Sequence, residues 1–218
     1  MHKHETLAYA FFLGVFLITS SIFEVAYSMP IYDKEFEKTG VYGLFDRTVA
    51  QDGIKEMLSY LRYGEPLSGK FTDAEADHLK DVRGLLITIR IFYLFSLVSC
   101  IIMIFRKADL SQILRYAGLG TGAAMLLLMI ICAAAGFDTA FQIFHDVFFR
   151  SNYAFDPAVS FMKAMLPDRL FLDLGIKIML SVAIKCGALI LLSHLLVKID
   201  FTCFKIRGRK QASGKKII

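Results

Sequence analysis

Two histidines in this 218-residue chain, His78 and His145, are the side chains best suited to proton transfer near neutral pH. A free imidazole titrates at about 6.5, so a modest change of surroundings moves it across the physiological range. His78 sits in FTDAEADHLKDVRGLL, where Asp81 follows at i+3 on a helical face and can accept from one ring nitrogen. His145 sits in FQIFHDVFFRSNYAFDP, on a helical face with Asp138, Phe141, Phe148 and Phe149 and with Phe144 alongside. Taken singly, each has a plain reading. His78 would belong to a solvated interfacial helix, and His145 would be the amphipathic member of an aromatic belt. Together, on one side of the same membrane, they point to a site.

Spacing limits the competing chemistries. His78 and Asp81, with His145, Asp146 and Asp156, could in principle hold a metal, but neither histidine has a helical His partner and no HExxH or paired CxxC occurs. No GxSxG elbow and no phosphate-binding loop of the Walker type is present. Metal and cofactor are therefore both expected to be absent. What remains is acid–base work by two imidazoles at a lipid–water boundary.

The elements that must position them are helices in a membrane. The chain is 56% hydrophobic. Four apolar runs, 7–29, 84–105, 114–137 and 174–197, each reach the roughly 20 residues that cross a bilayer. None alternates apolar with polar residues, which excludes a β-barrel reading. The fold class is all-α: a polytopic four-helix membrane bundle forming one domain, with a helical cap on the outer side. The first run reads as an uncleaved anchor, because its apolar stretch is longer than a signal-peptide core of about 7–15 residues.

Lys and Arg near the span ends set the orientation. The tail carries Lys205, Arg207, Arg209, Lys210, Lys215 and Lys216, and the 2–3 connection carries Arg106, Lys107 and Arg115. Both belong with the N-terminus on the cytoplasmic side of a cell membrane. Segments 30–83 and 138–173 then face outward, and acids outnumber bases in each. The net charge of +5 is mostly this topology signal, and no basic face for nucleic acid is present. Cys100, Cys132 and Cys186 lie within spans and Cys203 just beyond the last, so no disulfide framework is implied. A flexible basic tail, 198–218, closes the chain.

Polar groups also enter the spans. Asp173, Lys177, Ser181 and Lys185 recur every four residues and form one stripe on span 4, with Arg169 placed to pair with Asp173. Glu24 lies near the outer end of span 1 and Arg90 about two turns into span 2. Ionisable groups at such depth usually face a bundle interior or a wet cavity, so a polar cavity opening to the outer leaflet is expected. Gly118 and Gly122 have the spacing of a close helix contact. Thr72 and Glu75 form a capping box that starts a helix running into span 2. Asp156-Pro157 reads as N-cap and first residue of a short helix ending near Leu166, after which Pro167-Asp168 opens span 4.

FHDVFF…FDP…LPDRLFLD in the second outward segment and DHLKDVRGL in the first resemble the Lit-type lipoprotein intramolecular transacylases, bacterial membrane proteins of four spans. The resemblance covers the layout of essentially the whole chain. One departure is Tyr153, at a position the family pattern commonly gives to tryptophan. The resemblance implies a diacylglyceryl-modified lipoprotein as substrate, among membrane lipids, with no cofactor. It implies transfer of the sn-2 acyl chain from the glyceryl group to the α-amine of the N-terminal cysteine, giving a lyso-form lipoprotein. On that reading His145 is the base toward the amine, and His78, oriented by Asp81, serves the oxyanion or the departing oxygen; the roles could be exchanged. Arg83, Tyr153, Asp156 and Asp173 support the loops or the headgroup, and Glu24, Arg90, Lys177 and Lys185 line the cavity. Two other readings stay open: a non-catalytic lipid- or peptide-binding membrane protein, and a metal-dependent lipid hydrolase.

Overall fold

The computed structural model describes residues 3–106, 109–149 and 154–214, with side chains through 199. The described elements are all helical: α1 (Lys3–Ala26), α2 (Met29–Thr39), α3 (Val41–Leu44), α4 (Arg47–Tyr63), α5 (Asp73–Phe105), α6 (Leu110–Ala135), α7 (Phe137–Phe148), α8 (Phe161–Met165) and α9 (Asp168–Gly214). Four of them, α1, α5, α6 and α9, are long and apolar enough to cross a membrane. They form one bundle in which α1 packs against α5, α6 and α9, and α6 packs against α9.

The bundle is apolar outside as well as inside. Ile91, Phe92, Leu94 and Phe95 on α5 and Leu126, Leu127, Ile130 and Ile131 on α6 are all exposed. That is the pattern of helices whose solvent is lipid, where close packing rather than apolar burial drives association. Small residues permit the approach. A Cβ on Gly118 would lie 2.7 Å from Ile190 and 2.9 Å from the Cys186 carbonyl, so α6 and α9 meet at this glycine.

The largest buried core lies beyond the spans, in the cap. Phe36, Val41, Ala50, Ile54, Met57, Leu61, Phe71, Leu79, Met165 and Leu170 gather α2, α3, α4, α8 and the first turns of α5 and α9. α4 is amphipathic: Ala50, Gly53, Ile54, Met57, Leu58 and Leu61 fall on one buried stripe. Gly53 admits Phe161 from the second outward segment, since a Cβ there would sit 2.7 Å from that ring. The segment between α1 and α5 and the segment that leads into α9 therefore fold together as one body.

α5 starts at its capping box and runs on into the span as expected, and α9 continues past its expected limit. α5 has 33 residues and extends about 50 Å at about 1.5 Å per residue, against a hydrocarbon core of about 30 Å. Its polar first three turns, 73–83, precede the apolar run and carry His78. α9 continues as helix to Gly214, through most of the stretch expected as a flexible tail. A second difference concerns α8, which begins at Phe161, not at Pro157. Asp156 caps a turn instead, its Oδ1 accepting from Ala158 N at 2.9 Å and its carbonyl from Val159 N and Ser160 N. Ser160 is the N-cap of α8, accepting from Lys163 N at 3.0 Å. Pro after Asp suits the second position of a turn as well as a helix start, and Ser160 captures the helix because its hydroxyl reaches that free backbone N–H.

Candidate active site

His78 is carried by the first turns of α5. Thr72 caps that helix: its Oγ1 accepts from Glu75 N at 3.3 Å, and the Glu75 carboxylate accepts in return from Thr72 N at 2.7 Å. His145 is carried by α7, which leaves α6 through Gly136 at φ 82°, a left-handed conformation that favours glycine. α7 is amphipathic, with His145 buried and Ile143, Phe144, Val147 and Phe148 exposed.

The cap brings the two imidazoles face to face. Their ring centroids are 6.0 Å apart and their planes differ by 13°. Both are buried, at 8% and 7% exposure. Phe149 and Phe155 stand edge-on to His78 at 5.0 and 5.7 Å. Phe141, Phe149 and Phe144 surround His145 at 4.1, 5.2 and 5.5 Å. The Phe-rich motif is thus the wall of an aromatic box around two titratable rings.

The box treats the rings differently. His145 Nδ1 donates to the Phe141 carbonyl at 2.7 Å. A carbonyl can only accept, so Nδ1 carries the hydrogen and, in the neutral ring, Nε2 is the basic nitrogen. His78 Nδ1 is buried with no hydrogen-bond partner among the described residues. Burial pushes the His78 pKa below its ordinary value, and the neighbouring His145 adds to this while Asp81 opposes it. The shift favours the neutral imidazole. Asp81 acts on it through charge.

The remaining expected site residues fall elsewhere. Arg83 lies against Gly64 and over the Tyr60 ring at 5.9 Å. Arg90 donates to the Arg62 carbonyl at 3.3 and 3.4 Å and so caps the end of α4. Asp156 shapes its turn, and Tyr153 lies outside the described residues. The span-4 stripe is tied pairwise to other helices. Asp173 accepts from Lys38 at 2.6 Å and from Arg169 at 3.3 Å, the latter pair as its spacing predicts. Lys177 pairs with Glu35 at 3.1 Å, and Lys185 with Glu24 at 2.8 Å and Ser21 at 2.8 Å. Apart from the Arg169–Asp173 pair within α9, these bonds run to α1 and α2, not to the histidines, and form a polar seam between α9 and those helices. Glu35, buried at the centre of that seam, and Phe155 and Glu75 beside His78 were not singled out as site residues from sequence. Among the described residues no cluster of three or more His, Cys, Asp or Glu side chains has the arrangement to hold a metal ion.

Comparison with known proteins bears on this arrangement. The profile of a family described as lipoprotein intramolecular transacylase Lit matches residues 7–171. The fold is similar to an in meso structure of the membrane integral lipoprotein intramolecular transacylase Lit from Bacillus cereus, with a TM-score of 0.83 and 19% identity over 92% of this chain and 97% of that one. Two variants of the Bacillus cereus protein, with one histidine changed to arginine or to alanine, match at 0.80 with the same identity, covering 92% of this chain and 94% and 95% of theirs. No curated protein matches the sequence significantly.

Proposed function

The chain belongs to the lipoprotein intramolecular transacylase Lit family, and from that premise we propose that it moves the sn-2 acyl chain of a diacylglyceryl-modified lipoprotein to the α-amine of the same molecule's N-terminal cysteine. As a member of that family it is an acyltransferase of the membrane. The observation that carries the finer reading is the pair of buried, facing imidazoles of His78 and His145 in an aromatic box.

Donor ester and acceptor amine belong to one substrate, so proximity supplies much of the acceleration and no enzyme nucleophile is required. The protein's work is to fold the head region of the substrate and move one proton. As the neutral amine nitrogen bonds to the ester carbonyl carbon, Nε2 of His145 takes the amine proton. The N–H of neutral His78 donates to the carbonyl oxygen as it becomes an oxyanion, a task for which a ring held uncharged by burial is suited. When the tetrahedral adduct collapses, the bond between carbonyl carbon and sn-2 oxygen breaks. His145 returns its proton to that oxygen, leaving an amide, a free glyceryl hydroxyl and both imidazoles as they began. The exposed Phe144, Val147 and Phe148 of α7 offer apolar surface to the acyl chains. The site faces the outer leaflet and both termini are cytoplasmic, following the Lys and Arg distribution.

The direct test uses a synthetic diacylglyceryl lipopeptide with an isotope label in the sn-2 chain alone, incubated with purified protein in liposomes. The label is expected in the amide. An amide acylated from the sn-1 chain, or from the surrounding phospholipid, would overturn the reading.

A further inference from the structure

We propose that Glu75 is a positioning residue of this site: its carboxylate ties the segment 155–162 to α5 and thereby holds the Phe155 wall against His78. The inference rests on the acid–base reading above only for its consequence on activity.

A glutamate three residues after a helix N-cap has an ordinary role, and one carboxylate oxygen suffices for it. Glu75 uses Oε2 in this way, accepting from Thr72 N at 2.7 Å and Thr72 Oγ1 at 3.0 Å. Its Oε1 does something else. It accepts from Ser160 Oγ at 2.5 Å and from Met162 N at 2.9 Å, on the other outward segment. The residue is fully buried, and no Lys or Arg pairs with it among the described residues. A buried carboxylate is costly unless its oxygens are saturated with donors; here four donors from two segments converge on two oxygens. A cap alone would be served by an exposed glutamate or a glutamine.

The position explains what the tie does. His78 lies at i+3 from Glu75, and Phe155 lies five residues before Ser160, edge-on to the His78 ring at 5.7 Å. Freed from Glu75, the segment would lose its fixed distance to α5 and water would reach the imidazole. The titratable groups facing His78 are His145 on α7 and Asp81 on α5 itself, while Asp156 on the loop is engaged in its own turn. Neither of the first two depends on Glu75, so desolvation is what a loosened segment would change.

Glu75→Gln separates cap from tie. The amide oxygen still accepts from Thr72 N, but the NH2 then faces the Met162 N–H, which can only donate, and Ser160 Oγ can meet it only by turning to accept. Ser160→Asp added to this variant restores an acceptor across the gap, and Asp is itself a good N-cap for α8. Two readouts apply: the pH dependence of His78 carbethoxylation, which needs no catalysis, and transacylation of the lipopeptide. Glu75→Gln is expected to raise the His78 modification rate, move its titration upward and lower turnover by about 10²-fold, as small misplacements do. Ser160→Asp should reverse all three in part, since the Met162 N–H still lacks its acceptor. An unchanged His78 modification rate and titration would overturn the proposal, as would lost turnover that Ser160→Asp does not recover even in part. Faster modification with full turnover would sustain the tie and overturn the catalytic role of His78 instead.

Discussion

The rings of His78 and His145 lie 6.0 Å apart and nearly parallel, although one comes from the start of a membrane-crossing helix and the other from an interfacial one. They are not alike. His145 is locked by the Phe141 carbonyl into one tautomer, while His78 has a buried nitrogen without a partner among the described residues and a pKa lowered by burial. An arrangement that only packed helices would not need two polar rings enclosed by Phe141, Phe144, Phe149 and Phe155, since apolar side chains fill such a box at less cost.

The difference predicts a pH profile. His78 has a pKa below about 6.5, so activity that needs the neutral ring is complete above that value and is lost as pH falls through the lower, folded one. The substrate amine adds a rise near 7.7–8.0, its ordinary range. Asp81→Asn removes a charge that favours protonated His78, and should move the acid limb to still lower pH while sparing the maximal rate. Transacylation measured from pH 5 to 9 checks both; an acid limb that moved upward in Asp81→Asn would contradict the electrostatic account.

Two glycines of equal spacing predict unequal effects. Gly118 stands against the Cys186 backbone, whereas a Cβ on Gly122 would meet nothing nearer than 3.9 Å. Gly118→Ala should destabilise the bundle by roughly 1–3 kcal/mol through overpacking. Gly122→Ala should be neutral or gain up to about 1 kcal/mol of helix propensity. Thermal unfolding in detergent measures the pair, and equal losses would show that the α6–α9 contact is not where the structure has it.

Orientation has its own test. In a background without native cysteines, single cysteines at positions 55 and 158 are expected to react with an impermeant maleimide on intact cells, and one at 214 is not. Protection of both outward positions would reverse the membrane orientation and put the histidines at the inner leaflet.

Much of this was legible in the sequence because lipid imposes a simple rule on composition. Four long apolar runs became α1, α5, α6 and α9, and the Thr72–Glu75 box did start the helix that carries His78. Pro167-Asp168 did open the last span. What was not legible depends on contacts between distant segments. The stripe of Asp173, Lys177 and Lys185 is plain on a helical wheel, but its partners Lys38, Glu35 and Glu24 belong to other helices. Without them the stripe reads as a cavity lining, although the structure joins it into a seam. Asp156-Pro157 suits a turn and a helix start equally, and only the position of Ser160 decides between them. The second oxygen of Glu75 has no signature at all, since a capping box looks the same whether or not another segment docks on it.

The claim that two histidines carry the transfer is tested most directly by mass spectrometry of a co-expressed lipoprotein's N-terminus. His145→Phe retains bulk suited to the aromatic box, and His78→Asn retains some hydrogen bonding, so both should insert and fold. Loss of general acid–base catalysis lowers the rate by roughly 10²–10⁴-fold. Each variant, at wild-type protein level, is therefore predicted to leave the lipoprotein as the diacylglyceryl form with a free α-amine, while the wild type gives N-acyl-S-monoacylglyceryl cysteine. Full conversion by both variants would make the histidines structural and contradict the account.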